Sequence, residues 1–399
     1  MSSLRESFLR CLAQTSEAPI GLEIEGARGS WLYARDGRRY LDLIAGIGVN
    51  ALGHGHPAVA AAIGEQAGRH LHVMVYGEYI IEAQVRLAER LGALLPLGLG
   101  RVYFTNSGAE AVEGALKAAR KRTGRTGFVA FDGAYHGDTM AALALCGNPA
   151  FRAPFGPLVG PVTHLPYDDV GALVAIDERV AAVIVEPVQA EGGVRVPSQG
   201  FMRALRERAA QAGAILIFDE VLTGLGRTGK LFALEHWNVV PDLVVLAKAL
   251  GGGMPLGAIC GREEILETLA RDPPLGHITT FGGHPVSCAA GLAALEMIVG
   301  ERLPERAAKV GERLRKRLAT LDARAVRAVR GLGLLVGIEF ASAELARRFS
   351  AETIDRGVVL NWTLNADRVV RLAPPLTIAE QELEFALSVM NDALRAVLG

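Results

Sequence analysis

The chain has 399 residues, half of them hydrophobic, with 42 basic against 43 acidic residues and a formal net charge of −1. That balance gives no electrostatic footprint for nucleic acid or an anionic membrane, and the length exceeds what one hydrophobic core usually supports, so two domains are expected. Arg5, Glu6 and Arg10 interrupt the stretch where a secretory leader needs apolar residues, and no later apolar run approaches membrane-spanning length, so a cytoplasmic location is expected. Cys11, Cys146, Cys260 and Cys288 lie far apart without zinc-site or redox-pair spacing, and no metal is expected.

Alternation in "WLYARDGRRYLDL", with Asp36-Gly37 between its halves, predicts an N-terminal hairpin. From about His56, helical patterns alternate with the apolar runs "GRVYFTN", "GFVAFDG", "AAVIVEPV", "GAILIFDE", "DLVVLAKAL" and "GAICG". Runs lacking polar alternation, separated by helices, predict an α/β domain whose mostly parallel sheet is buried on both faces. After about Gly300 come a charged amphipathic helix, "LPERAAKVGERLRKRLATL", the run "VRGLGLLVGIEF", another helix and "VVLNWTLNADRVVRLAPPLTI", which read as a smaller α+β domain. The boundaries drawn are 1–55 for an N-terminal segment packing with the small domain, 56–298 for the large domain and 299–399 for the small one.

Ligands of open α/β sheets bind outside the carboxyl ends of the strands, so the residues after each run carry the functional reading. Only six of the basic residues are lysines. One of them, Lys248, stands between a buried run and the glycines of "AKALGGGMPLG". Burial would lower its pKa and free the amine to attack an aldehyde; the plain alternative is a snorkelling lysine. Asp219 ends "AILIF", where a carboxylate either keeps a pyridine nitrogen protonated or caps a helix. Ser107-Gly108-Ala109 forms a turn into a helix with Glu110 in its first turn, suited to a phosphate or simply to capping. Tyr135 and His136 come after another run, the first able to stack on a ring and the second also readable as a structural histidine.

Those elements occur in the order of fold-type I pyridoxal phosphate enzymes, and the chain resembles the class III aminotransferases of the ornithine, acetylornithine and 4-aminobutyrate group over nearly its whole length. The resemblance is carried by "NALGHGHP", "TNSGAEAVEGALKAAR", "YHGDT", "VEPVQAEGG", "FDEVLTGLGRTGKLFALEHW", "PDLVVLAKALGGGMPLGAI", "TTFGGHPVSCAAGLAAL" and "RLAPPLTI". It implies pyridoxal 5′-phosphate as a Schiff base on Lys248, phosphate on Ser107, Gly108 and Ala109, His136 in the cofactor site, and a ring between Tyr135 and Val221 with Asp219 at its nitrogen. Thr280 matches a threonine reaching the neighbouring subunit's cofactor, which implies a homodimer. Glu191 and Arg371 match a pair that closes on itself for ω-amino donors and opens when the arginine takes the α-carboxylate of glutamate or 2-oxoglutarate.

The implied activity is ping-pong transfer of a terminal amino group from an ω-amino acid or diamine to 2-oxoglutarate, with an ω-amine:pyruvate aminotransferase, aminomutase or epimerase as alternatives on the same scaffold. Departures from the pattern fall at Leu222, where many relatives carry a glutamine at the cofactor's phenolic oxygen, and at Asp138, where acetylornithine enzymes carry arginine. Ala190 and His284 replace glycine and asparagine, and Trp362 matches nothing in the pattern. The run from Gly224 to Gly229 also fits G-x-G-x-x-G, but the segment after it, "KLFALEHWNVVPD", is too short for the crossover helix of a dinucleotide site.

Overall fold

In the computed structural model, which describes residues 3–399, the central apolar runs align as one seven-stranded sheet. Its spatial order is Arg101–Thr105, Gly257–Gly261, Leu243–Leu246, Ile215–Asp219, Val180–Val185, Gly127–Phe131 and Val162–Leu165. Successive strand residues face opposite sides, and both sides are apolar. Phe131, Val183, Val185, Phe218 and Val244 enter one core; Phe128, Ala182, Ile184, Ile217 and Val245 enter the other. The helix Gly108–Thr123 covers the second face with Ala111, Val112, Ala115 and Leu116, and Gln199–Ala212 covers the first with Phe201, Met202 and Leu205. Each fully buried side chain such as Phe131 or Phe218 contributes about 1.5–3 kcal/mol.

The sheet is mostly parallel, as expected; the exception is at one edge, where Gly257–Gly261 runs antiparallel to both Leu243–Leu246 and Arg101–Thr105. Only the short turn Lys248–Gly251 and a few further residues separate it from the preceding strand, less than the dozen or more that a parallel crossover needs. Val162–Leu165 adds a parallel strand beside Gly127–Phe131; with only Leu165 of its four residues buried, it lacks the apolar signature of the others.

The N-terminal hairpin forms from Trp31–Ala34 and Arg39–Asp42, with a further antiparallel strand, Ile24–Arg28, whose five residues are all exposed. Val358–Val359 pairs in parallel with Arg39–Asp42, and the Glu382 carboxylate accepts from Ser30 Oγ at 3.0 Å and Trp31 Nε1 at 2.8 Å. The start of the chain is thereby stitched to its last third. There the antiparallel sheet runs in the order Val326–Leu332, Leu335–Phe340, Ala366–Leu372, Asn361–Thr363, flanked by the helices Leu303–Leu318, Ala343–Asp355 and Glu380–Leu398. No helix among the described residues is long and apolar enough to cross a membrane.

Immediately after Asp219 the chain turns on a second carboxylate. Glu220, 1% exposed, accepts from the backbone N–H of Ala233 at 2.6 Å and of Leu234 at 2.8 Å, pinning the loop that returns beneath the cavity. Burial outweighs those donors and pushes the carboxyl from its ordinary 4.5 up to about 7. Folding raises this pKa, so the associated stability is fully present below 4.5 and is lost as pH rises through about 7. We expect Glu220→Gln to destabilise the protein at low pH yet flatten the fall in melting temperature between about pH 5 and about pH 8, by the equivalent of roughly 2–3 kcal/mol. Parallel melting curves for wild type and variant across that range would contradict this account.

Candidate active site

The carboxyl ends of the strands open onto a cavity of about 450 Å³. Ser107, Gly108, Ala109, Tyr135, His136, Glu191, Asp219, Val221 and Lys248 all line it, as do Asp138, Glu186 and Leu222. Two expected site residues do not: Arg371 is buried against Glu191, and Thr280 is exposed on a loop whose preceding residue, Thr279, accepts from Asn106 Nδ2 of the cavity wall at 2.8 Å.

Lys248 opens the turn that comes after Leu243–Leu246, with φ at 48°, a left-handed conformation unusual for a residue with a side chain. It is partly buried. Desolvation in the cavity lowers its pKa, Arg371 adds repulsion, and Glu191, Asp219 and Glu186 oppose them more weakly. Among the described residues, no hydrogen bond or ion pair takes up its amine.

Asp219 ends Ile215–Asp219 with both oxygens engaged: Oδ2 accepts from His136 Nδ1 at 2.7 Å, and Oδ1 accepts from the Val221 N–H at 3.0 Å. A carboxylate oxygen can only accept, so His136 donates from Nδ1. Its Nε2 is buried with no partner among the described residues. Opposite them, Ser107 Oγ accepts from the Glu110 N–H at 3.2 Å, while the Glu110 carboxylate reaches back to the Asn106 N–H at 2.7 Å and to Asn106 Nδ2 at 2.9 Å. A side chain at Gly108 would put its Cβ 2.9 Å from Val221 Cγ2 and 3.5 Å from Ala247 Cβ. Glycine is therefore what lets the first turn of Gly108–Thr123 come up against the cavity.

Sequence reasoning passed over Glu186, although it ends the run Val180–Val185 as Asp219 ends its own. Its Oε1 accepts from the Tyr135 N–H and its Oε2 from the Ala190 N–H, both at 3.0 Å, so one buried carboxyl joins the loop of Tyr135 to the loop of Glu191. Burial, with Asp219 adding to it against the opposing His136, pushes it up to about 7. Also passed over was Arg227, inside the glycine run. This guanidinium is buried without a carboxylate partner among the described residues, donating to the carbonyls of Leu334, at 3.1 Å, and Pro374. The run itself leads into the short 3-10 turn Ala233–His236 rather than a crossover helix.

Glu191 Oε1 pairs with Arg371 Nη1, and its Oε2 accepts from the Leu364 N–H at 2.9 Å. Arg371 is 1% and Glu191 7% exposed. At Leu222, buried on the cavity wall, no polar atom is available where the resemblance places a contact to a phenolic oxygen. Trp362, on Asn361–Thr363, is 39% exposed, and nothing in the structure explains it.

The sequence model of the aminotransferase class-III family matches residues 12–394. This chain belongs to the class III aminotransferases. Among its relatives, an acetylornithine aminotransferase of Methanopyrus kandleri is 49% identical over 373 residues, covering 93% of each chain, and a putrescine aminotransferase of Pectobacterium atrosepticum is 41% identical over 91% of this chain and 80% of its own. The ornithine aminotransferase of Toxoplasma gondii, solved with partial occupancy of pyridoxal phosphate at its active site, superposes with a TM-score of 0.90 at 31% identity, over 98% of this chain and 93% of that one.

In this class III chain the Glu191–Arg371 pair has left water on both sides, so removing one member strands the other. Arg371→Met should lower stability by about 3–5 kcal/mol in urea melts, and the double variant Glu191→Gln/Arg371→Met should recover a large part of that loss. Strictly additive losses would mean that the two side chains are not energetically coupled.

Proposed function

We propose that the chain moves the terminal amino group of an ω-amino acid or diamine, in the range of ornithine, acetylornithine, 4-aminobutyrate and putrescine, to 2-oxoglutarate in a ping-pong cycle, with pyridoxal 5′-phosphate held through Lys248. The observation that carries this reading is a desolvated, unpaired lysine amine sharing one cavity with a histidine-backed carboxylate and a helix N-terminus. The names of the acetylornithine, putrescine and ornithine relatives favour terminal amines as donors.

The donor set suits that cofactor: the Ser107-Gly108-Ala109 turn offers N–H groups at a positive helix end for a phosphate, and Tyr135 and Val221 line the space where a flat ring would sit. When bound, pyridoxal phosphate acts as an electron sink that acidifies the carbon bearing the donor's nitrogen. Asp219, oriented by His136, holds positive charge at the ring nitrogen. With the cofactor bound, the Lys248 amine would be the group placed to take a proton from the substrate carbon and to give it back. Glu191 stays closed on Arg371 for an ω-amino donor and releases it for the α-carboxylate of 2-oxoglutarate, whose planar oxygens match a guanidinium. Thr280, exposed and not among the residues lining its own cavity, would meet the phosphate held by a second subunit of a homodimer.

The purified protein should absorb visible light, and borohydride should fix the cofactor to the peptide containing Lys248. In Lys248→Ala that adduct should vanish and turnover should fall by about 10²–10⁴-fold or more; an adduct on another peptide would refute the assignment. Arg371→Ala should raise KM for 2-oxoglutarate by roughly 10–100-fold while affecting half-reactions with simple ω-amines far less. Equal losses in both half-reactions would exclude a carboxylate-specific role.

A further inference from the structure

Four carboxylates line the cavity, and they differ in partners and in exposure. Asp219 is held by His136 and the Val221 N–H, Glu186 by the N–H groups of Tyr135 and Ala190, and Glu191 by Arg371 and the Leu364 N–H. Asp138 is different. The other three are buried, whereas it is exposed at the cavity rim, where the Tyr135 hydroxyl donates to its Oδ2 at 2.7 Å. Among the described residues no lysine, arginine or histidine forms an ion pair with it.

The Tyr135 hydroxyl keeps its proton, because burial, then the bond to Asp138, then the charge of nearby Glu191 all push its pKa up. It therefore acts as a donor that fixes the carboxylate in place without discharging it. The ring that carries this hydroxyl also lines the cavity, so the fixed charge is referenced to the same wall that faces the reacting end of a substrate. The cations of this region are engaged elsewhere or unpaired with it: Lys248 is at the reacting end, Arg371 is closed on Glu191, and Arg152, which like Asp138 acts on Cys146, lies against His164 at 3.0 Å.

We propose that Asp138, positioned by Tyr135, is a specificity-determining residue that selects amino donors carrying a second ammonium group at the end remote from the reacting amine, namely α,ω-diamines and diamino acids with a free α-amine. The assignment rests on the aminotransfer proposed above and narrows its donor class. An ammonium meeting this carboxylate gains a charge-assisted hydrogen bond at the rim; an N-acylated donor presents a neutral amide there and gains nothing comparable.

The test uses holoenzyme and two matched pairs, ornithine with Nα-acetylornithine and putrescine with N-acetylputrescine, whose members differ at the remote nitrogen, a charged ammonium in one and a bulkier neutral acetamide in the other. We expect wild type to favour the free member of both pairs in kcat/KM, Asp138→Asn to shrink that ratio about tenfold, and Asp138→Glu to restore most of it. Raising salt to about 0.5 M should lower kcat/KM for the free members more than for the acetylated ones in wild type, which keeps the idea testable should Asp138→Asn fold poorly. A wild type that transfers from all four donors without favouring the free members, or a ratio blind to Asp138→Asn and to salt, overturns the selection by Asp138 while leaving aminotransfer standing. No transfer from any of the four, with no borohydride adduct on Lys248, overturns both.

Discussion

The ion pair of Glu191 and Arg371 is almost wholly withdrawn from water, and withdrawing two charges is expensive unless the geometry around them is already set. Arg371 sits on Ala366–Leu372, between Leu335–Phe340 and Asn361–Thr363, while Glu191 sits on a loop closed by the bridge of Gln189 to Arg195. Contact between them aligns the C-terminal sheet with the edge of the cavity. The same pair sets the field in which Lys248 titrates, since Arg371 opposes and Glu191 favours its charge.

Behind that pair the sheet uses one device repeatedly: an apolar strand is terminated by a carboxylate at its carboxyl end. Val180–Val185 leads directly into Glu186, and Ile215–Asp219 ends in an acid with Glu220 beyond it. Apolar residues bury the strand up to its last position, so each acid emerges with most of its solvation already removed and must find donors from neighbouring loops. The donors found are different in kind. Backbone N–H groups alone tie Glu186 to two loops and, with a long contact from Thr223, hold Glu220, whereas Asp219 adds the imidazole of His136 to its one backbone donor, Val221.

Much of this was legible in the sequence, because a sheet buried on both faces leaves unbroken apolar runs and places its chemistry at their ends. Lys248, Asp219, the Ser107 turn and Tyr135 were found that way, and they do meet in one cavity. Features that depend on a distant partner were not legible. The antiparallel course of Gly257–Gly261 arises from connection length rather than from its residues. Ile24–Arg28 and Val162–Leu165 are too exposed to show a strand's apolar pattern. Glu186 was hidden because what matters about it is the backbone of Tyr135, 51 positions away, and Arg227 because its acceptors are carbonyls of the last third of the chain.

Lys248 occupies the left-handed region of backbone space, which side-chain-bearing residues enter at a cost of about 1–3 kcal/mol. A glycine there would relieve that strain. The fold is thus tense at the one position where an amine is presented to the cavity, and its tolerance of that tension comes from the sheet and helices on either side. A glycine at this position would ease the backbone and remove the amine from the cavity, so thermal stability and the proposed chemistry pull in opposite directions here.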